Sequence, residues 1–291
     1  MARHLNAFQH GAGRSSRGAQ MSTLPPIALV FAATDPTGGA GLQADLLTLA
    51  SLGCHPASVV TAITVQDLHG VRSLRALEPH WVEQQARALL EEFPVAAFKI
   101  GVMGSAENVA VIAALLARHP RVPVVLDPVL ASGRGDPLAS EATVTALRDK
   151  LLPLVTVLTP NSMEARQLAG AAENCSLAEC AQRLRARGCA YVLITGTHEP
   201  GAEVVNTLYG TGGAVLVDRR QRLSGSYHGS GCTLASAIAA QLATGLAVPE
   251  AVRAAQEFTW RTLASGFRPA LGQFLPDRFF WAPDRRRETG P

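Results

Sequence analysis

Ile27-Ala28-Leu29-Val30-Phe31-Ala32-Ala33, followed at once by Thr34-Asp35-Pro36-Thr37-Gly38-Gly39-Ala40-Gly41-Leu42-Gln43-Ala44-Asp45, decides the fold. The first seven residues are apolar without alternation, so the strand they form has both faces covered, as in a parallel sheet between helix layers. The glycines that follow make a turn, and residues 41–52 then take up helical spacing. Outward from this unit the alternation repeats. Strands are expected at 58–65, 96–100, 122–126, 155–158 and Tyr191–Ile194, and helices at 83–92, 106–118, 141–152 and 177–187. A hairpin, 204–209 with 214–217, turns at Gly210, Gly212 and Gly213, and two long apolar helices follow at about 232–244 and 250–265. The pattern predicts an α/β fold: a doubly wound, mostly parallel sheet flanked by helices on both faces, with ligands at the carboxyl ends of its strands.

The 291 residues, 47% apolar and 17% charged, suit a folded globular protein. The net charge of +3 sits at the ends: Arg3, Arg14 and Arg17 precede Met21, and in the tail Arg285, Arg286 and Arg287 against Asp284 and Glu288 add one more. The body is left about one unit negative, which gives no basic face for nucleic acid. The five cysteines include no C-x-x-C pair and point to reduced thiols in the cytoplasm. The first 20 residues lack an apolar core, so neither a signal peptide nor a membrane segment is expected there. The expected organisation is a disordered leader over 1–24, one domain over 25–281 and a disordered tail over 282–291, with Met21 as a possible alternative start.

The sharpest motif is Ser226-Tyr227-His228-Gly229-Ser230-Gly231-Cys232-Thr233, which runs into an apolar helix. Gly229, Ser230 and Gly231 at a helix start free backbone N–H groups to point at an anion, where the helix dipole also favours negative charge. The same residues also read as a loop that merely starts a packed helix. Cys232 lies in the first turn, where the dipole should lower its pKa and supply a thiolate base; it reads equally as a small buried hydrophobe. The glycines at 38, 39 and 41 fit neither a G-x-G-x-x-G pattern nor a P-loop, so no dinucleotide or Walker-type site is indicated.

Two further motifs end strands with polar groups. Asp127 closes Val124-Val125-Leu126 and precedes the loop Ser132-Gly133-Arg134-Gly135-Asp136-Pro137; Thr159-Pro160-Asn161-Ser162-Met163-Glu164 follows Val157-Leu158. Asn161 with Glu164 three residues on reads as a helix cap. Asp127 and Glu164 also read as carboxylates that hold a phosphate-bound magnesium directly or through water.

Taken together, Asp35 to Asp45, Lys99-Ile100-Gly101, Leu126-Asp127-Pro128-Val129, Gly135-Asp136-Pro137-Leu138, Thr159-Pro160-Asn161 with Glu164-Ala165, and His228 to Thr233 resemble the hydroxymethylpyrimidine/phosphomethylpyrimidine kinase family, in order across about 25–265. The resemblance implies a ribokinase-like fold and an enzyme of thiamine biosynthesis. That enzyme uses ATP and Mg2+ to phosphorylate the pyrimidine's hydroxymethyl group and then the monophosphate. It also implies that Gln66, with Asp45 beside it, binds the pyrimidine, that Gly41 and Val129 line its pocket, and that Cys232 is the base above an anion hole of Gly229 to Cys232. Asp127, Asn161, Thr195 and Gly196 would then serve the ATP phosphates, and Asp127 and Glu164 the magnesium. The partner implied is a small-molecule pyrimidine, with no nucleic acid or membrane and a possible homodimer.

The chain departs from the family pattern where Thr195-Gly196-Thr197-His198 replaces a lysine before a glycine pair. Its two lysines, Lys99 and Lys150, are expected to lie elsewhere, so Arg134 is the expected substitute. Asn206, Asp67, Val102 and Tyr227 also depart from the residues usual at their positions. A pyridoxal kinase is the nearest rival, since its substrates are flat heteroaromatics with a hydroxymethyl group. A non-catalytic pyrimidine sensor is the rival from another class.

Overall fold

Six of the seven residues of the strand quoted above are buried, and the sheet is built around it. The computed structural model describes residues 24–132 and 135–283; Arg134, all of the expected leader but Leu24, and all of the expected tail but Ala282 and Pro283 lie outside the described residues. Nine strands form one sheet in the order β3-β2-β1-β4-β5-β6-β7-β8-β9. They are β1 (Ile27–Ala33), β2 (His55–Asp67), β3 (Gly70–Ala76), β4 (Val95–Ile100), β5 (Val124–Leu126), β6 (Val157–Leu158), β7 (Tyr191–Ile194), β8 (Glu203–Gly210) and β9 (Gly213–Gln221). The six from β2 to β7 run parallel, while β3 at one edge and β8 and β9 at the other are antiparallel. The expected mostly parallel, doubly wound α/β fold is therefore present.

Helices cover both faces, which is why β1 is buried on both sides. On one face α1 (Gly41–Ser51), α7 (Ser230–Ala243) and α8 (Val248–Ala264) pack against Ala28, Val30, Ala32, Val125 and Val157. On the other, α2 (Pro79–Glu92), α3 (Ala106–Leu116), α4 (Glu141–Ala146), α5 (Ser162–Ala169) and α6 (Leu177–Ala186) cover Leu29, Phe31, Phe98, Ile100 and Leu126. Alternate residues of one strand thus feed two cores. None of the described helices is long and apolar enough to cross a membrane.

Several details differ from the expectation, among them α2, which begins four residues before the expected 83. The helix expected over 141–152 is α4 only to Ala146, then a π-helical turn at Leu147–Leu151 and a 3-10 turn at Leu152–Leu154, because Pro153 cannot donate the next helical hydrogen bond. Strand β2 begins three residues before the expected 58. β3 was not expected at all: its exposed Arg72, Ser73 and Arg75 hide the strand signal of an edge strand.

β1 sits between β2 and β4, and the chain leaves it toward one side of the sheet and returns to the other. That reversal opens a crevice at the carboxyl ends, and there the expected motifs gather.

Candidate active site

A cleft of about 560 Å3, within the usual size range for small-molecule sites, opens over the carboxyl ends of the strands. Its walls include the loop after β1, the turns after β5 and β6, and the N-terminus of α7. Of the residues singled out in the sequence, Gly41, Gln66, Asp127, Val129, Asn161, Glu164, Thr195 and all of Gly229 to Cys232 face it.

Two glycine-rich loops form the floor. Asp35, fully buried, accepts from Thr37 N at 2.8 Å, from the Thr37 hydroxyl at 2.9 Å and from Ala40 N at 2.6 Å, while His228 Nε2 lies 2.9 Å from its Oδ2. Burial works against ionisation of this carboxyl, yet His228 and the backbone donors outweigh it and hold it below the usual carboxylate range. The clasp brings the second loop so close that a Cβ on Gly229 would stand 1.9 Å from Gly39 O, and Gly229 has φ of 79°. Only glycine satisfies both conditions. The backbone N–H groups at the start of α7 then face the cleft as an anion cradle.

Behind the cradle lies a buried ion pair. Lys99 Nζ donates to Asp45 Oδ2 at 2.8 Å, and the Ser236 hydroxyl donates to Asp45 Oδ1 at 2.7 Å, all three residues being fully buried. Burial pushes the Asp45 carboxyl up, against the pull of Lys99 and Ser236. Burial alone would lower Lys99, but Asp45, Cys232 and Asp127 together hold it above its ordinary value. Two expectations are corrected here. Asp45 does not face the cleft beside Gln66, because Lys99 and Ser236 occupy its oxygens. Lys99 does not lie elsewhere: it lines the cleft among the acidic groups.

Cys232 gives a third correction. Burial pushes its thiol up to about 12, Asp127 and Asp45 add to the rise, and Lys99 only partly opposes it. The first-turn dipole that predicts a lowered pKa is outweighed by desolvation and by two neighbouring carboxyls.

Asp127 is 5% exposed, and its Oδ2 has no hydrogen-bond partner. Burial raises its carboxyl to about 6, with Asp45 adding to the rise and Lys99 and a hydrogen bond from the Cys232 thiol opposing it. Glu164 is raised to about 7 by burial and by Asp127. Its oxygens also accept backbone N–H groups, Oε2 from Asn161 at 3.0 Å and Oε1 from Leu130 at 3.2 Å, while Asn161 Oδ1 accepts from Glu164 N at 2.9 Å. The capping box read from the sequence is thus fully formed. Val129, between these acids, has φ of 26°, the single positive value outside glycine among the described residues. Among those residues no group of three or more His, Cys, Asp or Glu could hold a metal unaided.

Gln66 Nε2 donates to the Thr64 hydroxyl at 2.7 Å, which fixes its amide at the end of β2. Thr195 lines the cleft, but Gly196 does not: it backs onto β8, where a Cβ would meet Val205 O at 2.4 Å, and its N–H donates to Asn206 Oδ1 at 3.1 Å. Arg222 reaches this loop, but its guanidinium donates to the carbonyls of Thr197, Glu199 and Gly201. Sequence reading missed the Asp35–His228 clasp, the Lys99–Asp45 pair and the buried Arg278, whose partners are distant in the chain. Only the clasp left a local trace, in the glycines of both loops.

The model of the phosphomethylpyrimidine kinase family matches residues 35–275. A hydroxymethylpyrimidine/phosphomethylpyrimidine kinase of Streptomyces coelicolor is 41% identical over 89% of this chain and 96% of its own length. One of Escherichia coli is 37% identical over 73% of this chain and 81% of its own. Among solved structures, an ADP complex of Bacillus subtilis pyridoxal kinase superimposes with a TM-score of 0.80 at 29% identity, covering 87% of this chain and 97% of that one. A Clostridium difficile phosphomethylpyrimidine kinase gives 0.71 at 32% identity, covering 81% and 99%.

Removing one partner of the buried pair leaves the other charge uncompensated. Lys99→Met is expected to cost about 3–5 kcal/mol in chemical denaturation, and Lys99→Met with Asp45→Leu to recover much of that loss. A single-variant cost below about 1 kcal/mol would refute a fixed ion pair.

Proposed function

The chain belongs to the phosphomethylpyrimidine kinase family, and from that premise we propose that it transfers the γ-phosphoryl group of ATP to 4-amino-5-hydroxymethyl-2-methylpyrimidine. A second transfer, to the resulting monophosphate, yields the diphosphate for thiamine biosynthesis. The observation that carries the reading is the unpartnered, buried Oδ2 of Asp127 beside an anion cradle built by two clasped glycine loops. A buried acceptor with no donor suits a bound cation, and a ring of N–H groups suits a phosphoryl group.

Phosphoryl transfer needs positioning and charge neutralisation more than covalent chemistry. Gln66, at the end of β2, offers its amide to the flat pyrimidine, and Gly41 and Val129 line the same cleft. The N–H groups of Gly229 to Cys232 take the charge of the phosphoryl in flight. Cys232 orients the substrate hydroxyl, and its thiolate form accepts the hydroxyl proton. That form is scarce while the thiol stands near 12, so the proton moves late in the transfer, when the oxygen is already bonding to phosphorus. Asp127 and Glu164 fit a magnesium ion, directly or through water, because burial raises the proton affinity of both and Asp127 raises that of Glu164 further, at a spot a divalent cation would neutralise. Bound with ATP, the ion would supply positive charge that screens the phosphate oxygens. Asn161 and Thr195 line the phosphate end.

A pyridoxal kinase is the second reading, favoured by the fold's likeness to the Bacillus subtilis pyridoxal kinase. We place the enzyme in the cytoplasm and propose a homodimer, since Ile63 and Val65 stand exposed on one face of β2; sedimentation at the monomer mass at assay concentrations would reject the dimer.

Incubation with ATP, magnesium and the hydroxymethylpyrimidine should give mono- and diphosphate by mass spectrometry. Cys232→Ala should lower turnover ~10²- to 10⁴-fold with KM little changed. Turnover of pyridoxal alone would select the second reading, and pyrimidine binding without turnover would make the protein a sensor.

The raised acids set a pH window. Below about 7 Glu164 takes up a proton, and below about 6 Asp127 does, so kcat/KM should fall as pH drops from 8 to 5.5. Magnesium competes with those protons, so profiles at higher magnesium should shift the falling limb to lower pH. Identical midpoints at low and saturating magnesium would show that neither acid meets the metal.

A further inference from the structure

Arg278 is a buried cation to which the mechanism above gives no part. It lies three residues beyond the family match, in the segment after α8, and is 4% exposed. Its backbone is held on two sides. The Ser51 hydroxyl of α1 donates to Arg278 O, Asp277 N donates to Thr262 O of α8 at 2.9 Å, and the Phe280 ring lies 5.7 Å from that of Phe258.

From this anchor the guanidinium reaches inward to both glycine loops. Nη2 donates to Gly39 O at 2.6 Å and to Thr233 Oγ1 at 3.0 Å, and Nε donates to Thr233 Oγ1 at 3.2 Å. Thr233 Oγ1 in turn donates to Gly229 O at 2.8 Å, and Gly39 O is the atom against which Gly229 is pressed. The network therefore ends on the first residue of the cradle.

All of these partners are neutral oxygens, and among the described residues no carboxylate forms an ion pair with Arg278. The negative groups it senses are Cys232 when ionised, Asp45 and Asp35, at and behind the floor of the cleft. A buried guanidinium without a hydrogen-bonded counter-ion is costly, and a plain packing clip between two loops does not require one. Its charge is useful where an anion forms, and the nearest place for an anion is the cradle at the start of α7.

We propose that Arg278 is a positioning residue for phosphoryl transfer: it fixes the Gly229–Cys232 cradle through Gly39 and Thr233 and sets a positive charge behind it. The inference rests on the kinase reading. The guanidinium touches no substrate; its effect falls on the phosphoryl group in flight more than on either bound substrate, so it should appear in kcat.

The test compares wild type, Arg278→Met, Arg278→Lys, Thr233→Val and the Met/Val double variant by steady-state kinetics with the hydroxymethylpyrimidine and MgATP, ADP calorimetry and thermal melts. Arg278→Met should lower kcat ~30- to 100-fold, a little below the loss of one anion-hole donor, with both KM values and the ADP Kd within about threefold. Arg278→Lys keeps the charge and should recover most of kcat. Thr233→Val should lower kcat too, and the double variant should be no worse than Arg278→Met alone. Should Arg278→Met not fold, the Lys and Val variants decide. The proposal is overturned if a folded Arg278→Met keeps kcat within about threefold of wild type, if Lys rescues no better than Met, or if the loss falls on KM. Wild type that phosphorylates nothing fails the kinase reading and this inference with it; an active wild type with indifferent variants fails this inference alone.

Discussion

The carboxylate of Asp35 holds together two loops that lie about 190 residues apart in the chain. It is ionised in the interior because four donors meet it, two from its own turn's backbone, one from Thr37 and one from His228. Through that contact the N-termini of α1 and α7 are set side by side, with Gly39 and Gly229 in van der Waals contact. An anion cradle needs its N–H groups fixed before the ligand arrives, and a pair of flexible glycine loops would not be fixed without such a clasp.

Charge is concentrated around this floor. Two buried cations, Lys99 and Arg278, and the acids Asp35, Asp45, Asp127 and Glu164 lie within one region of the protein. They differ in how far they are compensated. Asp35 meets four hydrogen-bond donors and Asp45 is ion-paired with Lys99, so they serve structure. Asp127 and Glu164 have raised pKa values and no ion pair among the described residues, so part of their demand for positive charge is unmet. Such a division is expected where a fold must be stable alone and still bind a charged ligand.

Much of the architecture was legible because burial on both faces writes an unbroken apolar strand, as in β1, and amphipathic spacing writes a helix, as in α6. The glycines at 39, 41, 229 and 231 were legible as loops for the same local reason. What was not legible is non-local. Lys99 finds Asp45 across 54 residues and Arg278 finds Gly39 across 239, and no spacing rule reaches that far. The direction of the Cys232 shift was misjudged for a related reason: the helix dipole is a sequence-local effect, whereas the desolvation that overrides it comes from elements elsewhere in the chain.

Glu164 shows why cap and metal-holder need not be alternatives. A carboxylate oxygen has two lone pairs, and the N–H groups of Asn161 and Leu130 use one on each. The bond to Leu130 also steadies the turn that holds Val129 at positive φ, a conformation a β-branched residue adopts only under constraint. So the same side chain starts α5, braces the turn after β5 and still faces the cleft with acceptor capacity left. Its pKa near 7 follows from that arithmetic: two hydrogen bonds do not offset burial beside Asp127, and a cation at the remaining lone pairs would. Replacing it with glutamine would leave one amide N–H facing an NH2 group, so even the most conservative change would disturb the turn together with the site.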